Sequence, residues 1–225
     1  MKSPRLCIAS IPCLILAAAA VVVADDWPQF RGPAGLGIGQ VSSLPVEWSD
    51  TKNVVWKTEL PGAGTSSPVV VKNRVVLTYQ TGYAVDPNNP GDINDLKRHV
   101  LCLDAKNGTP LWKWDAETVL PEIDTRRFRS YASSTPVVDD DAVYCFLGKS
   151  GVVALDHTGS LLWRTSVGKE THGWGSASSP IVYQDLVIVN AFVECGQLVA
   201  LDKKTGKEVW RAGELKESWN TPLRV

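Results

Sequence analysis

The stretch Ala200–Trp210, ALDKKTGKEVW, decides the fold because the chain contains two further copies of it. Cys102–Trp112 reads CLDAKNGTPLW, and Ala154–Trp163 reads ALDHTGSLLW. Each copy has a Leu-Asp pair, a turn with a glycine, and a tryptophan four residues after that glycine. Repetition of such a unit predicts a repeat architecture whose recurring residues build the frame. These residues are Asp104, Gly108, Trp112, Asp156, Gly159, Trp163, Asp202, Gly206 and Trp210.

Each copy has the chemistry of a β-hairpin. Val199 and Leu201 occupy alternate positions, which indicates a strand with one buried face. Asp202 can accept hydrogen bonds from the backbone amides of the turn, and Gly206 can adopt the positive φ that a longer hairpin loop requires. Trp210 then lies on the returning strand, where burial of an indole removes roughly 150–250 Å² from water. We therefore expect a hairpin anchored by a tryptophan in every unit.

A second phrase, Ser or Thr followed by proline, precedes each copy and sets the length of the unit. Its prolines are Pro68, Pro136, Pro180 and Pro222, at intervals of 68, 44 and 42 residues. The first interval is lengthened by an insertion, residues 80–97. Four short strands in a period of about 42–44 residues are typical of a β-propeller blade. The sequence predicts an all-β chain with three whole blades, at about 66–115, 133–167 and 178–211, and a partial blade from 219.

Two segments around the first blade need separate interpretations. Asn53–Leu60, with Trp56, reads as a strand without partner strands before it, so we expect it to be the last strand of another blade. Within the insertion, Asp86, Asn88 and Asp92 suggest a calcium loop, but Lys97 stands where a helix–loop–helix site requires Glu. We interpret the insertion as a polar surface loop.

The N-terminal segment is expected to be a secretory signal peptide, residues 1–24. Its apolar run, Leu14–Val23, follows two basic residues, is too short for a stable membrane span and is followed by the small residue Ala24. Residues 25–52 are rich in Gly and Pro, so we expect an extended lead-in that docks through Trp27, Phe30 and Trp48. The expected location is the periplasm or the extracellular space.

Charge and cysteine content argue against several classes of function. The chain has 23 Lys and Arg against 24 Asp and Glu, and loss of Lys2 and Arg5 with the signal peptide leaves a net charge of about −3. This balance does not favour a nucleic acid or an anionic membrane as the partner. Cys102, Cys145 and Cys195 are flanked by strand-like residues, and we interpret them as small buried apolar side chains. The spacing of Cys and His indicates no metal site.

The phrase at Leu201–Trp210, Leu-Asp-x-x-Thr-Gly-x-x-x-Trp, resembles the tryptophan-docking repeat of PQQ-like β-propellers. That family includes quinoprotein alcohol dehydrogenases and the outer-membrane assembly scaffold lipoprotein. The opening Asp26–Pro33, DWPQFRGP, also resembles the start of secreted bacterial proteins with this repeat. The resemblance implies a ring of about seven or eight blades. It also implies that Asn53–Leu60 closes the ring, so that the chain is expected to be an N-terminal piece of a longer, here incomplete, propeller.

The resemblance leaves an enzymatic alternative open. Members that bind the quinone resemble one another in an adjacent Cys-Cys disulfide, a calcium ion held by Glu and Asn, and a catalytic Asp. This chain has no adjacent cysteines, and no acidic residue of it can be matched to the catalytic Asp. We expect no catalytic, cofactor-binding or metal-binding residues. PQQ and calcium belong only to the alternative, in which the chain is part of a PQQ-dependent quinoprotein alcohol dehydrogenase.

The favoured prediction is a binding or scaffold module without catalytic activity, whose partner is another protein or an extracellular polymer. Loops that lead into the innermost strands cluster around one mouth of a propeller, where aromatic and charged residues are candidates for binding. The opposing interpretation is that the tryptophans pack between blades and the arginines are solvated. A role within a larger enzyme or membrane complex also stays open. The candidates are Arg129, Tyr131, His172, Trp174, Trp219 and Asn220, with Arg126, Arg127 and Glu217 on the same loops.

Overall fold

Three four-stranded antiparallel sheets form the computed structural model, which describes residues 26–39, 44–125 and 130–224. The expected signal peptide and the candidates Arg126, Arg127 and Arg129 lie outside these residues. In each sheet the strands follow one another in sequence order, which confirms the predicted all-β architecture. The strands are β1 (Val69–Val71), β2 (Arg74–Thr81), β3 (Lys97–Asp104), β4 (Pro110–Ala116), β5 (Val137–Val138), β6 (Val143–Phe146), β7 (Val152–Leu155), β8 (Leu161–Thr165), β9 (Ile181–Tyr183), β10 (Leu186–Ala191), β11 (Gln197–Asp202) and β12 (Glu208–Ala212).

Helical structure is confined to short connections in the described residues. One four-residue helix, α1 (Phe192–Cys195), joins β10 to β11. Three 3₁₀ turns occupy Pro33–Gly35, Ile93–Asp95 and Gly148–Ser150. The second of these lies in the insertion, where Asp92 accepts a hydrogen bond from the Asn94 amide. The insertion is not wholly the polar surface loop that the sequence predicts, because Tyr83, Ala84 and Leu96 are buried in a cluster with Tyr131.

The second blade packs between the other two, so both of its faces are buried. β6 (VYCF) and β7 (VVAL) are buried at every position, which explains why they are continuous apolar runs instead of alternating ones. One core joins Cys102 and Val100 of the first blade to Cys145 of the second. A second core joins Tyr144 to Leu201 of the third blade.

The three cysteines are free thiols. Cys102 and Cys145 are buried, which confirms their interpretation as small apolar core residues, whereas Cys195 is half-buried. Burial raises the pKa of Cys102 to about 11, so its thiol stays protonated and unreactive at neutral pH.

The repeated hairpins have the geometry that the sequence predicts. Gly108, Gly159 and Gly206 all have positive φ, at 73°, 88° and 69°. The Asp202 carboxylate accepts hydrogen bonds from the amides of Lys204 and Thr205, and Asp104 and Asp156 cap their turns in the same way. In all three blades a register shift falls just before the Leu-Asp pair.

Trp112 and Trp163 each dock on the hairpin of the next blade. The Trp112 indole N–H donates to the His157 carbonyl (3.0 Å), and Trp163 donates to Lys203 (2.9 Å). The ring in each case covers the next glycine, so that a Cβ on Gly206 would lie 2.6 Å from Trp163 carbons. The indoles therefore join neighbouring blades at their outer strands.

Trp56 also docks on the hairpin of the next blade, that of the first blade, although its segment has no partner strand among the described residues. Its indole donates to the Ala105 carbonyl (2.8 Å), and the Thr58 hydroxyl donates to Gly108 (2.7 Å). Asn53–Leu60 has no ladder partner among the described strands, as predicted for an orphan strand, and side chains hold it to the first blade. The expected role of Trp56, as the outer tryptophan of a preceding blade, is consistent with this docking.

The Ser/Thr-Pro phrases also link successive blades. The Ser67 amide donates to the Thr135 hydroxyl, the Thr135 amide to Ser179, and the Ser179 amide to Thr221, at 2.9–3.0 Å. The fourth phrase continues the series although no strand follows it in the described chain. These bonds hold the innermost strands in a common register.

The lead-in lies over the first strands of two blades. Trp27 exchanges backbone hydrogen bonds with Val70, and the Pro28 carbonyl accepts one from Val138. Phe30 is partly buried, but Trp48 is 63% exposed, so its expected docking is wrong. Residues 44–52 bond mainly to one another, which leaves that indole without a surface to cover it.

The alternation of strand direction gives the propeller two different ends. The turns β1–β2 and β3–β4 and their counterparts lie at one end, which we call the hairpin end. The β2–β3 connections and the loops between blades lie at the other, the loop end. Among the described residues, the loop end comprises 82–96, 117–125, 130–136, 147–151, 166–180, 192–196 and 213–220.

Candidate functional site

The structure distributes the predicted binding residues over the loop end with different degrees of burial. Tyr131 is buried, and its hydroxyl donates to the Ile123 carbonyl while accepting from the Thr125 amide. Trp174 is 56% exposed, and Asn220 is also exposed. Tyr131 therefore shapes the loop from within, whereas Trp174 and Asn220 present surface.

His172 and Trp219 meet in an aromatic cluster together with Phe192, which the sequence interpretation missed. The Trp219 ring contacts His172 edge-on at 5.2 Å and Phe192 at 5.1 Å between centroids. The Trp219 indole donates to the Gly175 carbonyl (2.9 Å), so this residue does pack against the loop that precedes the third blade. Edge-to-face packing of this kind fixes the three rings relative to one another.

Beside this cluster lies a small cavity of about 30 Å³. Its walls include His172 and the loop 130–134, and they combine hydroxyl and charged side chains. Space of this size holds about one or two water molecules, or a group as small as one. The polar residues of the wall include Arg98, Glu122, Thr125, Ser134, Ser176 and Glu194, together with Lys149 and Glu170, whose charges are opposite.

Arg98 is held rigidly on one side of the cavity. Its guanidinium donates to the Tyr131 carbonyl (2.9 Å), to the Ser150 hydroxyl (3.2 Å) and to the Glu122 carboxylate (2.5 Å). Arg98 and Glu122 are nearly inaccessible to solvent, so their charges compensate each other in a poorly hydrated environment. Arg98 thus forms part of the wall with its charge already neutralised.

Glu194 also lines the cavity, but no hydrogen-bonded cation compensates it. It is 2% exposed, and neither carboxylate oxygen has a hydrogen-bond partner in the described structure. Its Oε1 faces Gly148, where a Cβ would lie 3.3 Å from that oxygen. Burial raises the pKa of Glu194 to about 7, while the nearby Ser176 hydroxyl acts in the opposite direction. An uncompensated, buried carboxylate of this kind is a strong signal of a functional site.

The backbone of α1 positions Glu194. Its carbonyl accepts from the amides of Lys169 and Glu170 (3.2 Å each), and Gly196 ends the helix with φ 75°. α1 therefore ties the aromatic cluster, through Phe192, to the cavity, through Glu194. Sequence reasoning missed Glu194 because α1 has no counterpart in the other blades, although the break AFVECG between two strands could have indicated it.

A larger groove lies where the lead-in approaches the fourth Ser/Thr-Pro phrase. Its volume is about 540 Å³, and it is lined by Phe30, Arg31, Trp219, Asn220 and Arg224, among others. It brings two predicted residues, Trp219 and Asn220, together with the lead-in. Its size is that of a small-molecule or peptide site.

A hydrogen-bonded relay crosses the first blade away from both cavities. His99 bonds to Thr81 through Nε2 and to Asp115 through Nδ1, each at 2.7 Å, and stacks on Tyr79. Burial lowers the pKa of His99, although Asp115 opposes this. Burial alone would raise the pKa of Asp115, but hydrogen bonds from Lys113 and His99 hold it below its usual value. These bonds join β2, β3 and β4, so we interpret the relay as a cross-strand support.

The cavity next to Glu194 does not fit the quinone cofactor of the enzymatic alternative. An organic cofactor requires roughly 300 Å³ or more, about ten times the space present. Within the described ranges no group of three or more His, Cys, Asp and Glu side chains could hold a metal ion. No helix there is long and apolar enough to cross a membrane.

Comparison with protein families gives one match that covers more than half of the chain. Residues 96–224 match the family described as outer membrane protein assembly factor BamB. Two curated relatives are quinone-dependent enzymes. The 1-butanol dehydrogenase (quinone) of Thauera butanivorans is 30% identical over 122 residues, 49% of this chain and 19% of the relative. The quinoprotein ethanol dehydrogenase of Pseudomonas putida is 28% identical over 203 residues, 75% of this chain and 32% of the relative.

The chain therefore spans about a fifth to a third of the length of these relatives. Among solved structures, the quinohemoprotein alcohol dehydrogenase from Comamonas testosteroni is similar with a TM-score of 0.54 at 18% identity. That similarity covers 83% of this chain and 27% of the other. It shows a shared fold, the PQQ-like propeller.

Proposed function

We propose a binding and scaffolding function outside the cytoplasm for this chain, which belongs to the family described as outer membrane protein assembly factor BamB. Residues 1–24 serve as a cleaved signal peptide, and the lead-in and the blades at about 66–115, 133–167 and 178–211 form the mature part, with a further blade beginning near 219. The loop end is the binding surface, and the partner is another protein.

The observation that carries this proposal is the contrast between repeated and unrepeated residues at the loop end. The aromatic cluster and the exposed Trp174 stand on loops that a rigid frame holds in place. Aromatic side chains on such loops offer large contact areas at low cost in conformational entropy. None of these residues belongs to the repeated Trp and Ser/Thr-Pro contacts that join the blades, so a partner can use their exposed surfaces.

A site-specific crosslink in the native cell envelope tests the surface. The photoreactive residue p-benzoylphenylalanine replaces Trp174 at the loop end or, as the matched control, Leu162, which is 53% exposed on the outer strand β8. We expect one discrete protein adduct from position 174, none from position 162, and loss of the adduct when Trp219→Ala is added. Equal adducts from both positions, or none from either, would overturn the proposal.

Quinone-dependent alcohol oxidation is the second candidate, because both curated relatives described above are quinone dehydrogenases. Purified protein is incubated with PQQ and Ca²⁺, desalted, and examined for retained quinone absorbance and for alcohol-dependent dye reduction. Retention of the absorbance together with turnover would replace the scaffold function. Loss of the absorbance on desalting supports the scaffold function.

A further inference from the structure

We propose that Glu194 is the receptor for one primary ammonium group, a lysine side chain or an N-terminal amine, that the partner inserts at the loop end. This inference rests on the proposed binding function and names the chemistry that the partner must present.

The hydrogen-bonding capacity of the cavity matches such a group. Both oxygens of Glu194 and the hydroxyl oxygens of Thr125 and Ser134 line the cavity and have no partner in the described structure. Buried polar atoms are rarely left unpaired, because each costs about 1–3 kcal/mol. An ammonium group has three donors and no acceptor, so it supplies what these acceptor atoms lack.

The charge balance of the cavity requires one positive charge. Arg98 compensates Glu122 through a direct hydrogen bond, so the ionised Glu194 leaves the site at −1. A monovalent cation restores neutrality, whereas a divalent ion would leave an excess of +1 in a buried environment, where uncompensated charge is costly.

The size of the cavity and its lining by His172 favour an ammonium group over a guanidinium group. A space of about 30 Å³ accepts a group of the size of water, but not the planar fork of an arginine. His172 belongs both to the cavity wall and to the aromatic cluster with Phe192 and Trp219. The aliphatic stem of a lysine can therefore lie against aromatic rings while its head reaches the carboxylate.

Small ammonium probes test the cavity without the partner. The ¹³C resonance of the Glu194 carboxyl is titrated against pH with methylammonium chloride or, as the control, tetramethylammonium chloride, which has the same charge but no N–H donor. We expect methylammonium to lower the titration midpoint by about 1 pH unit or more, saturably, because a close positive charge favours the ionised carboxylate. Tetramethylammonium should leave the midpoint unchanged.

Variants of the wall keep the test specific. Thr125→Val and Ser134→Ala should each weaken methylammonium binding several-fold, as read from the Glu194 resonance. In Glu194→Gln, a saturable methylammonium-dependent rise in melting temperature at pH 8, expected for the wild type, should disappear. The proposal is overturned if methylammonium gives no saturable response, if tetramethylammonium acts equally, or if Ca²⁺ binds at far lower concentration than methylammonium. A crosslink at position 174 without methylammonium binding would overturn this inference alone and leave the scaffold function intact.

Discussion

The hairpin end and the loop end of this propeller differ in how their polar groups are used. At the hairpin end the same contacts recur from blade to blade, and the capping carboxylates and docking indoles have partners. At the loop end the Ser/Thr-Pro phrase also recurs, and Ser134 belongs to it, whereas α1 with Glu194 occurs in only one of the three described blades. Glu194, Thr125 and Ser134 contain unpartnered atoms. The repeated contacts therefore build the frame, and the unpartnered atoms of the loop end are the candidates for a binding role.

The largest effect is expected from removing a docking indole. Trp163 is 8% exposed and joins the second blade to the third, so Trp163→Ala should lower the free energy of unfolding by about 3–5 kcal/mol in a urea titration. The neighbouring Leu162→Ala, at a side chain that is 53% exposed, should cost less than about 1 kcal/mol. Similar losses in both variants would contradict the docking role.

Two glycines with similar positive φ allow the cost of backbone strain to be distinguished from the cost of a steric clash. Gly206 and Gly196 have φ of 69° and 75°, but an added Cβ would meet Trp163 at 2.6 Å in the first case and Leu215 at 4.0 Å in the second. Gly206→Ala should cost about 3 kcal/mol and Gly196→Ala about 1 kcal/mol in the same assay. Equal losses of unfolding free energy in the two variants would mean that the Trp163 indole moves aside without cost when a Cβ is added to Gly206.

At the loop end, stability should depend on pH through Glu194. Because its pKa is raised to about 7 in the fold from 4.5, the wild type loses stability as the pH rises through this range. Glu194→Gln should match the wild type at pH 4.5 and exceed its free energy of unfolding by about 2–3 kcal/mol at pH 8. The exposed Glu170→Gln serves as the control and should show no such pH-dependent gain. A pH-independent difference for Glu194→Gln would refute the assignment.

The smallest effect concerns the second hydrogen bond of the docking contact. The Thr165 hydroxyl donates to the Gly206 carbonyl (2.6 Å), whereas the first blade has Trp114 at the same position. Thr165→Val should cost about 1 kcal/mol, and the exposed Ser166→Ala less than about 0.5 kcal/mol. An unchanged unfolding midpoint in Thr165→Val would show that the indole alone carries the contact.

The sequence was sufficient to predict the repeated hairpins because the interactions that form them are local and recur in every blade. Asp202, Gly206 and Trp210 specify a turn, a positive φ and an anchor within a few residues of one another. The sequence could not show that Trp163 docks on the next blade instead of its own, since that depends on how the sheets pack. For Asn53–Leu60, the sequence predicted an orphan strand, and no partner strand lies beside it in the described chain.

Prediction of the site was less successful for a physical reason. His172, Trp174 and Trp219 were found by residue type, but which of them meet is decided by the loops, and Tyr131 is buried. Glu194 was missed because one acidic residue in an apolar context gives no periodic signal, and its importance arises only from the burial of both its oxygens. Site residues that do not recur in the repeats can be located only from their burial and contacts in the folded structure.

Because Trp112 and Trp163 dock on the following blade, whole blades can be added or removed while the contacts between blades are kept. If the second repeat were lost as a whole, Trp112 would face the Lys203 turn, which has the same Asp and Gly as the turn it left. A gene duplication or deletion of one full repeat would thus re-form the indole docking contacts between blades without new side chains. Blade number can therefore evolve separately from the loops, and ring size and ligand choice can change through independent genetic events.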